Sequence, residues 1–364
     1  MRRTSSRTST RNERDDASFP ATSVTALLAR PGGSRRNLLA VLAAGRAWLF
    51  LLVLLVVFEA WARIAYGSSF VFSVLNLRSV AVFAVAPVLL GLGQTLVIIS
   101  GGIDLSVGFT MGLAAVVSAQ VANAAGASLG TPLGLLAGVL AALAVVIVPG
   151  WINGLLIARL RVPPFIGTLG MYGVARGAAY LIAGGTTVPV ENPWLAYLGN
   201  GTLLGIPVVV LIALVVVLVV HYILSETLFG QHTYAIGGNR QATLRAGVNV
   251  HRVTVLLYML SALTAGIDGI LYTGRFAAGA PQAGEPLLLD SIAAVVIGGA
   301  SLFGGSGTVS GTIIGALIIA VIQYGLVFLD VEPFWQFIAV GMVIIVSVLV
   351  DQSQRRFGGG RQDE

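Results

Sequence analysis

Residues 95–108 read Thr95-Leu96-Val97-Ile98-Ile99-Ser100-Gly101-Gly102-Ile103-Asp104-Leu105-Ser106-Val107-Gly108. An apolar run over 77–99 stops at two glycines, one acid follows, and a second apolar run fills 105–124. Each run is long enough to cross a hydrocarbon core of ~30 Å as a helix. The glycines break the helix, and an acid at membrane depth needs a reason to be there. Asp104 either lines a polar pathway, or it or Ser106 accepts backbone N–H groups at the start of the next helix. Both readings stay open.

Outward from this break, apolar runs cover 47–66, 132–158, 164–183, 206–224, 252–272, 288–303, 307–328 and 334–350, ten spans in all with the two above. They are continuous, not alternating, which excludes a membrane β-barrel. The expected fold is an all-α polytopic membrane protein of about ten transmembrane helices. Residues 298–307, Gly298-Gly299-Ala300-Ser301-Leu302-Phe303-Gly304-Gly305-Ser306-Gly307, form a second glycine break between two runs. Two broken or re-entrant segments in corresponding places point to an inverted repeat.

Composition agrees: 56% of residues are hydrophobic and 10% charged, with mean hydropathy +0.92. A soluble domain carries about 25% charged residues. The chain has no cysteine and no lysine. Disulfides, thiolate catalysis and a phosphate loop with its lysine are excluded, so the chain does not cleave nucleotide itself. His221, His232 and His251 have no metal-ligand spacing. Ser306 lies in a glycine turn with no nearby transmembrane histidine to act as base, so no enzyme, cofactor or metal is expected.

Nine of the 21 basic residues, all arginines, fall within 1–46, which reads as a disordered cytoplasmic tail; it is a plain orientation signal first, and attraction to anionic membrane lipid is the second reading. With ten spans and this tail inside, Arg159, Arg161, Arg240, Arg245, Arg252, Arg355, Arg356 and Arg361 also fall inside, making 17 of 21. That is membrane orientation, with both termini cytoplasmic, and no nucleic-acid signal. The domains are then the tail 1–46, a membrane-spanning domain 47–351 and a cytoplasmic tail 352–364.

Arg176 and Asp268 lie inside spans; either they face the bundle interior, where they could form an ion pair, or each is satisfied by a local backbone carbonyl, hydroxyl or water. Glu59 and Arg63 are four apart and form a structural pair. The longest inner loop, 225–251, contains the turn Gly237-Gly238-Asn239 and then a short helix from Arg240 to Ala246, capped by Asn239 and ended by Gly247. It is either a docking element for a soluble partner or a plain linker.

Four sets of residues carry a resemblance. They are 95–108 as quoted; Asn153-Gly154 with Pro164-Phe165-Ile166, Thr168-Leu169-Gly170 and Arg176-Gly177; Tyr234-Ala235-Ile236-Gly237-Gly238-Asn239 with Ala242 and Gly247-Val248-Asn249-Val250; and Asp290 to Gly299 with Ser301-Leu302 and Gly304-Gly305. In this order the chain resembles the permease subunits of ribose-type ATP-binding-cassette importers, over roughly 75–351. The resemblance implies a homodimeric permease in a bacterial plasma membrane. A separate ATPase subunit would drive it, and an extracytoplasmic sugar-binding protein would load it. Gly237, Gly238, Asn239, Ala242, Arg245 and Gly247 would form the ATPase coupling segment; Gln231 departs from the family pattern there. Pathway candidates are Gln94, Gly101, Gly102, Asp104, Ser106, Asn153 and Thr168. The cargo would be ribose, another monosaccharide or a related small polar solute; a nucleoside stays open. The competing class is an ion-coupled secondary transporter with Asp268 as its coupling acid.

Overall fold

The computed structural model describes residues 45–346 apart from Pro333 and Ile344. The arginine-rich stretch before residue 45 and the C-terminal segment 352–364 lie outside the described residues. The helices are α1 Arg46–Tyr66, α2 Val74–Ile99, α3 Val107–Leu129, α4 Thr131–Ala158, α5 Pro164–Ile182, α6 Pro193–Asn200, α7 Val208–Glu226, α8 Leu228–Gly238, α9 Arg240–Arg245, α10 Val250–Phe276, α11 Leu287–Ile297, α12 Val309–Phe328 and α13 Phe334–Val343. Two short antiparallel pairs complete them: β1 (Val188–Pro189) with β4 (Ala278–Gly279), and β2 (Thr202–Leu203) with β3 (Ile206–Pro207). Leu204 and Gly205 make the two-residue β2–β3 turn with φ of 52° and 79°, the positive values such a turn requires.

Helices occupy all ten apolar stretches. Among the described residues, seven are long and apolar enough to cross a membrane: α1, α2, α3, α4, α7, α10 and α12. The 19-residue α5 is diluted by Arg176 and four glycines. The 11-residue α11 rises about 16 Å, half of a hydrocarbon core.

Small residues set the packing. Along α4 the buried positions include Gly134, Gly138, Ala142, Gly150 and Gly154, while Leu133, Leu136, Leu140 and Trp151 point outward. The glycine stripe lets α4 approach α3 and α10 closely: a Cβ at Gly138 would sit 2.7 Å from the Ser118 carbonyl, and one at Gly154 would sit 2.6 Å from the Val255 Cα. With lipid outside, close backbone approach supplies the van der Waals contact that holds membrane helices together.

The two breaks have the same local geometry. After α2, Gly101 (φ 85°) takes the left-handed conformation and the Gly102 N–H donates to the Val97 carbonyl (3.0 Å). After α11, Gly299 (φ 92°) does the same and the Ala300 N–H donates to the Val295 carbonyl (3.1 Å). Glycine is required at both because a Cβ disfavours this conformation. The inverted relation expected between the breaks is not found. Gly91 approaches Ser291 and Val295, and Ile98 packs on Val295 and Ala300, so α2 and α11 run parallel and reach their breaks from one side.

Glu59 and Arg63 pair as expected, with Nε 2.6 Å from Oε1. The carboxylate also accepts from Ser69 Oγ (2.9 Å), Phe70 N (2.9 Å) and Val71 N (2.8 Å), tying the α1–α2 turn to α1. The guanidinium is mostly exposed, so the ion pair itself adds little. Glu59→Leu, which removes every acceptor, is expected to lower the melting temperature of the purified protein more than Arg63→Ala; equal shifts would mean that the pair, not the turn, matters.

Candidate functional site

Three glycine segments meet at one junction. The Gly305 N–H donates to the Ile99 carbonyl (2.8 Å), joining the second break to the first. Gly237 at the end of α8 lies against both partners, and a Cβ there would overlap the Ile99 carbonyl and the Gly305 nitrogen. The Tyr234 hydroxyl, one turn earlier on α8, donates to the Gly307 carbonyl (2.7 Å). Burial pushes the Tyr234 hydroxyl above the usual tyrosine range, so it keeps its proton. The segment 225–251 is thus more than a loop. Thr227 caps α8 by accepting from Gly230 N (3.3 Å), and Asn239 caps α9 by accepting from Ala242 N (2.9 Å). Arg245 ends α9, and Gly247 (φ 83°) turns the chain into α10. A cavity of about 680 Å³ opens beside the junction, lined by Gly101, Gly102, Gly237, Gly238 and Asn239 together with Arg161, Arg240 and His251.

Behind the junction lies a polar cluster from the first break and four helices, closed to solvent. Asp104 Oδ1 accepts from Ser106 N (3.0 Å) and Ser106 Oγ (2.6 Å); Oδ2 accepts from Ser261 Oγ of α10 (2.9 Å). Gln94 Nε2 of α2 donates to the Asp104 carbonyl (2.6 Å), and Asn153 Nδ2 of α4 donates to Ser106 Oγ (2.9 Å). Thr168 of α5 donates to the Ile103 carbonyl (3.2 Å). Asp104 is 1% exposed and Gln94 and Asn153 are 0% exposed. The structure therefore gathers Gln94, Asp104, Ser106, Asn153 and Thr168 around the first break, and puts Gly101 and Gly102 on the cavity wall. Asp104 initiates the turn into α3, while the Ser106 side chain caps nothing. Ser261 is the partner that sequence reading missed. Its signal was the hydroxyl stripe Thr254, Tyr258, Ser261 at i, i+4, i+7 on α10.

Arg176 and Asp268 do not pair. The sole ion pair among the described residues is Glu59–Arg63. Arg176 is exposed on α5, which packs on α3 and leaves the guanidinium 5.3 Å above the Phe109 ring. Asp268 is 2% exposed and lies on α10 with Arg275 and Tyr272.

This architecture is that of a polytopic helical membrane protein in which a short helix pair, α8 and α9, is clamped onto two broken segments through Gly237 and Tyr234. The chain belongs to the branched-chain amino acid transport system / permease component family, whose model matches residues 76–348. It is 37% identical over 322 residues to a ribose import permease of Escherichia coli K12 (85% of this chain, 96% of the relative). It is 35% identical over 290 residues to a fructose import permease of Rhizobium meliloti (78% of each chain). It is 34% identical over 331 residues to a galactose/methyl galactoside import permease of E. coli K12 (87% and 96%). No solved structure matches the chain. These relatives are membrane permease components of transporters.

Proposed function

We propose that the chain is the permease subunit of an ATP-binding-cassette importer for a monosaccharide, working as a homodimer in a bacterial inner membrane. A separate ATPase subunit docks on α9, and an extracytoplasmic binding protein delivers the sugar. The junction carries this reading. Displacement of α9 passes through the Asn239 cap to Gly237, and Gly237 touches both breaks, so one push reorients two membrane segments. Ribose, fructose and galactose are the cargoes of the relatives; ribose heads the test because that relative combines a match along 96% of its length with 37% identity, against 34% for the galactose relative.

The topology that goes with this reading has ten membrane segments, α5, α11 and α13 included, with both termini inside. Its support is the arginine count: 17 of 21 fall on one side. Residues 47–351 form the permease domain between the two tails, and anionic lipid attracts the N-terminal one. The bonded cluster around Asp104 holds the first break in shape.

The test is uptake of radiolabelled ribose, fructose and galactose into proteoliposomes holding this chain, its ATPase and its binding protein. Uptake is expected only with internal ATP and all three components. Uptake driven by a proton gradient without the ATPase would establish the secondary-transporter reading that the buried Asp268 suggests.

A further inference from the structure

A second cavity, of about 230 Å³, lies between α2, α7, α10, α11 and α12. Asp268, Tyr272 and Arg275 line it from α10 and Gln323 from α12. Positions 268, 272 and 275 are spaced i, i+4, i+7, so they share one face of α10. Asp268 Oδ2 is buried with no hydrogen-bond partner. An unsatisfied buried carboxylate oxygen is costly and marks a place where a donor arrives. Arg275 is held by its bond to the Val82 carbonyl (3.1 Å) and by the Phe83 and Phe276 rings, 5.3 and 5.6 Å from its guanidinium carbon. One bond uses one of five guanidinium donors. Gln323 Nε2 donates to Asp290 Oδ2 (2.8 Å), which leaves its amide oxygen as an acceptor.

These groups define the ligand. A carboxylate and an amide oxygen accept, a guanidinium fork donates to adjacent oxygens, and aromatic rings cover an apolar face. Acceptors and donors stand side by side, so the cavity suits a neutral polyhydroxylated solute. Its volume falls below the ~300 Å³ at which pockets for drug-sized ligands begin, which leaves room for one sugar ring. The cavity also sits at the far end of α10 from the junction: Thr254 and Tyr258, near the start of that helix, line the inner cavity, and Arg275 is in its last turn.

We propose that this cavity is a receiving site for one monosaccharide-sized neutral polyol on the outer side, with Asp268, Arg275 and Gln323 holding its hydroxyls. The proposal rests on the importer reading and adds a sugar site within each permease subunit.

The absence of native cysteine makes the test clean. Ala86→Cys places one thiol on the cavity wall, and Leu287→Cys serves if that variant impairs uptake. The full chain with its ATPase, without binding protein, is treated in right-side-out vesicles with a charged, membrane-impermeant methanethiosulfonate. The thiol is expected to react, and ribose, fructose or galactose to slow the reaction; mass action gives about tenfold protection at about ten times Kd. Asp268→Leu and Gln323→Leu should each abolish protection, read as the ratio of labelling rates with and without sugar in the same variant. No labelling, labelling only in inverted vesicles, no protection by any sugar that the intact importer takes up, or protection that survives both substitutions would each overturn the site. Those outcomes leave the importer reading standing, because ATP-dependent uptake is measured separately.

Discussion

Gly237→Ala is expected to cut ATP-driven uptake by about 100-fold, while Gly238→Ala leaves it near the native level. The two glycines are neighbours in sequence and opposite in environment. A Cβ at Gly238 meets nothing within 4 Å, whereas one at Gly237 overlaps the Ile99 carbonyl and the Gly305 nitrogen. Both obstacles are backbone, and they are bonded to each other. Relief requires the α8 end to lift or the Gly305–Ile99 bond to open. Overpacking costs about 1–3 kcal/mol, and opening a buried backbone bond adds about 1–3 more. A total near 3 kcal/mol shifts the docked arrangement by about 100-fold, since each ~1.4 kcal/mol is tenfold. The α9 helix and its Asn239 cap are untouched, so ATPase binding and basal hydrolysis should persist, giving hydrolysis without transport. The measurements are proteoliposome uptake, hydrolysis, and size-exclusion profiles to verify folding. Native uptake by the Gly237→Ala variant would remove the junction from the coupling route.

The parts of this site that were legible in the sequence are those written in local chemistry. Asn239 and Gly247 bracket α9 as a cap and a left-handed turn, and the structure has both. The Gly101-Gly102 break after a long apolar run was equally local. The α8 helix was hidden because three of its 11 residues are glycines, at about 1 kcal/mol each against helix formation. Tertiary contact outweighs that propensity: Gly237 lets the end of α8 lie against the breaks, and Gly230 lets its start lie against the end of α7. The apolar run of α11 continues past its true end, through Ala300 to Phe303, so hydropathy alone overstates its length. The stop is set by the close crossing of Gly298 with Gly311, a long-range contact. Arg176 was placed in the correct helix and on the wrong side of it. Hydropathy says that an arginine in a span needs a partner, but not that α5 would offer it the Phe109 ring from α3.

Asp104→Leu is expected to prevent stable folding, and Asp104→Asn to be tolerated in both folding and uptake. The carboxylate serves three donors: Ser106 N, Ser106 Oγ and Ser261 Oγ. Leucine keeps the volume and strands all three in a site with no water access. Measured side-chain bonds between membrane helices average ~0.6 kcal/mol, which sets a floor near 2 kcal/mol; orphaned buried groups at ~1–3 kcal/mol each set a ceiling near 9. Against a total stability of about 5–15 kcal/mol, the upper part of that range removes all of the stability of a protein near the low end. Asparagine retains an oxygen for the two Ser106 donors, and its NH₂ can donate to Ser261 Oγ once that hydroxyl rotates to accept. The net loss should stay within about 1 kcal/mol. The pair of variants separates scaffold from pathway, because a group that touches cargo would lose uptake in Asp104→Asn while the protein remained folded. Thermal unfolding in detergent and uptake in proteoliposomes decide it. A folded Asp104→Asn variant that transports nothing would move Asp104 from the frame of the break to the wall of the route.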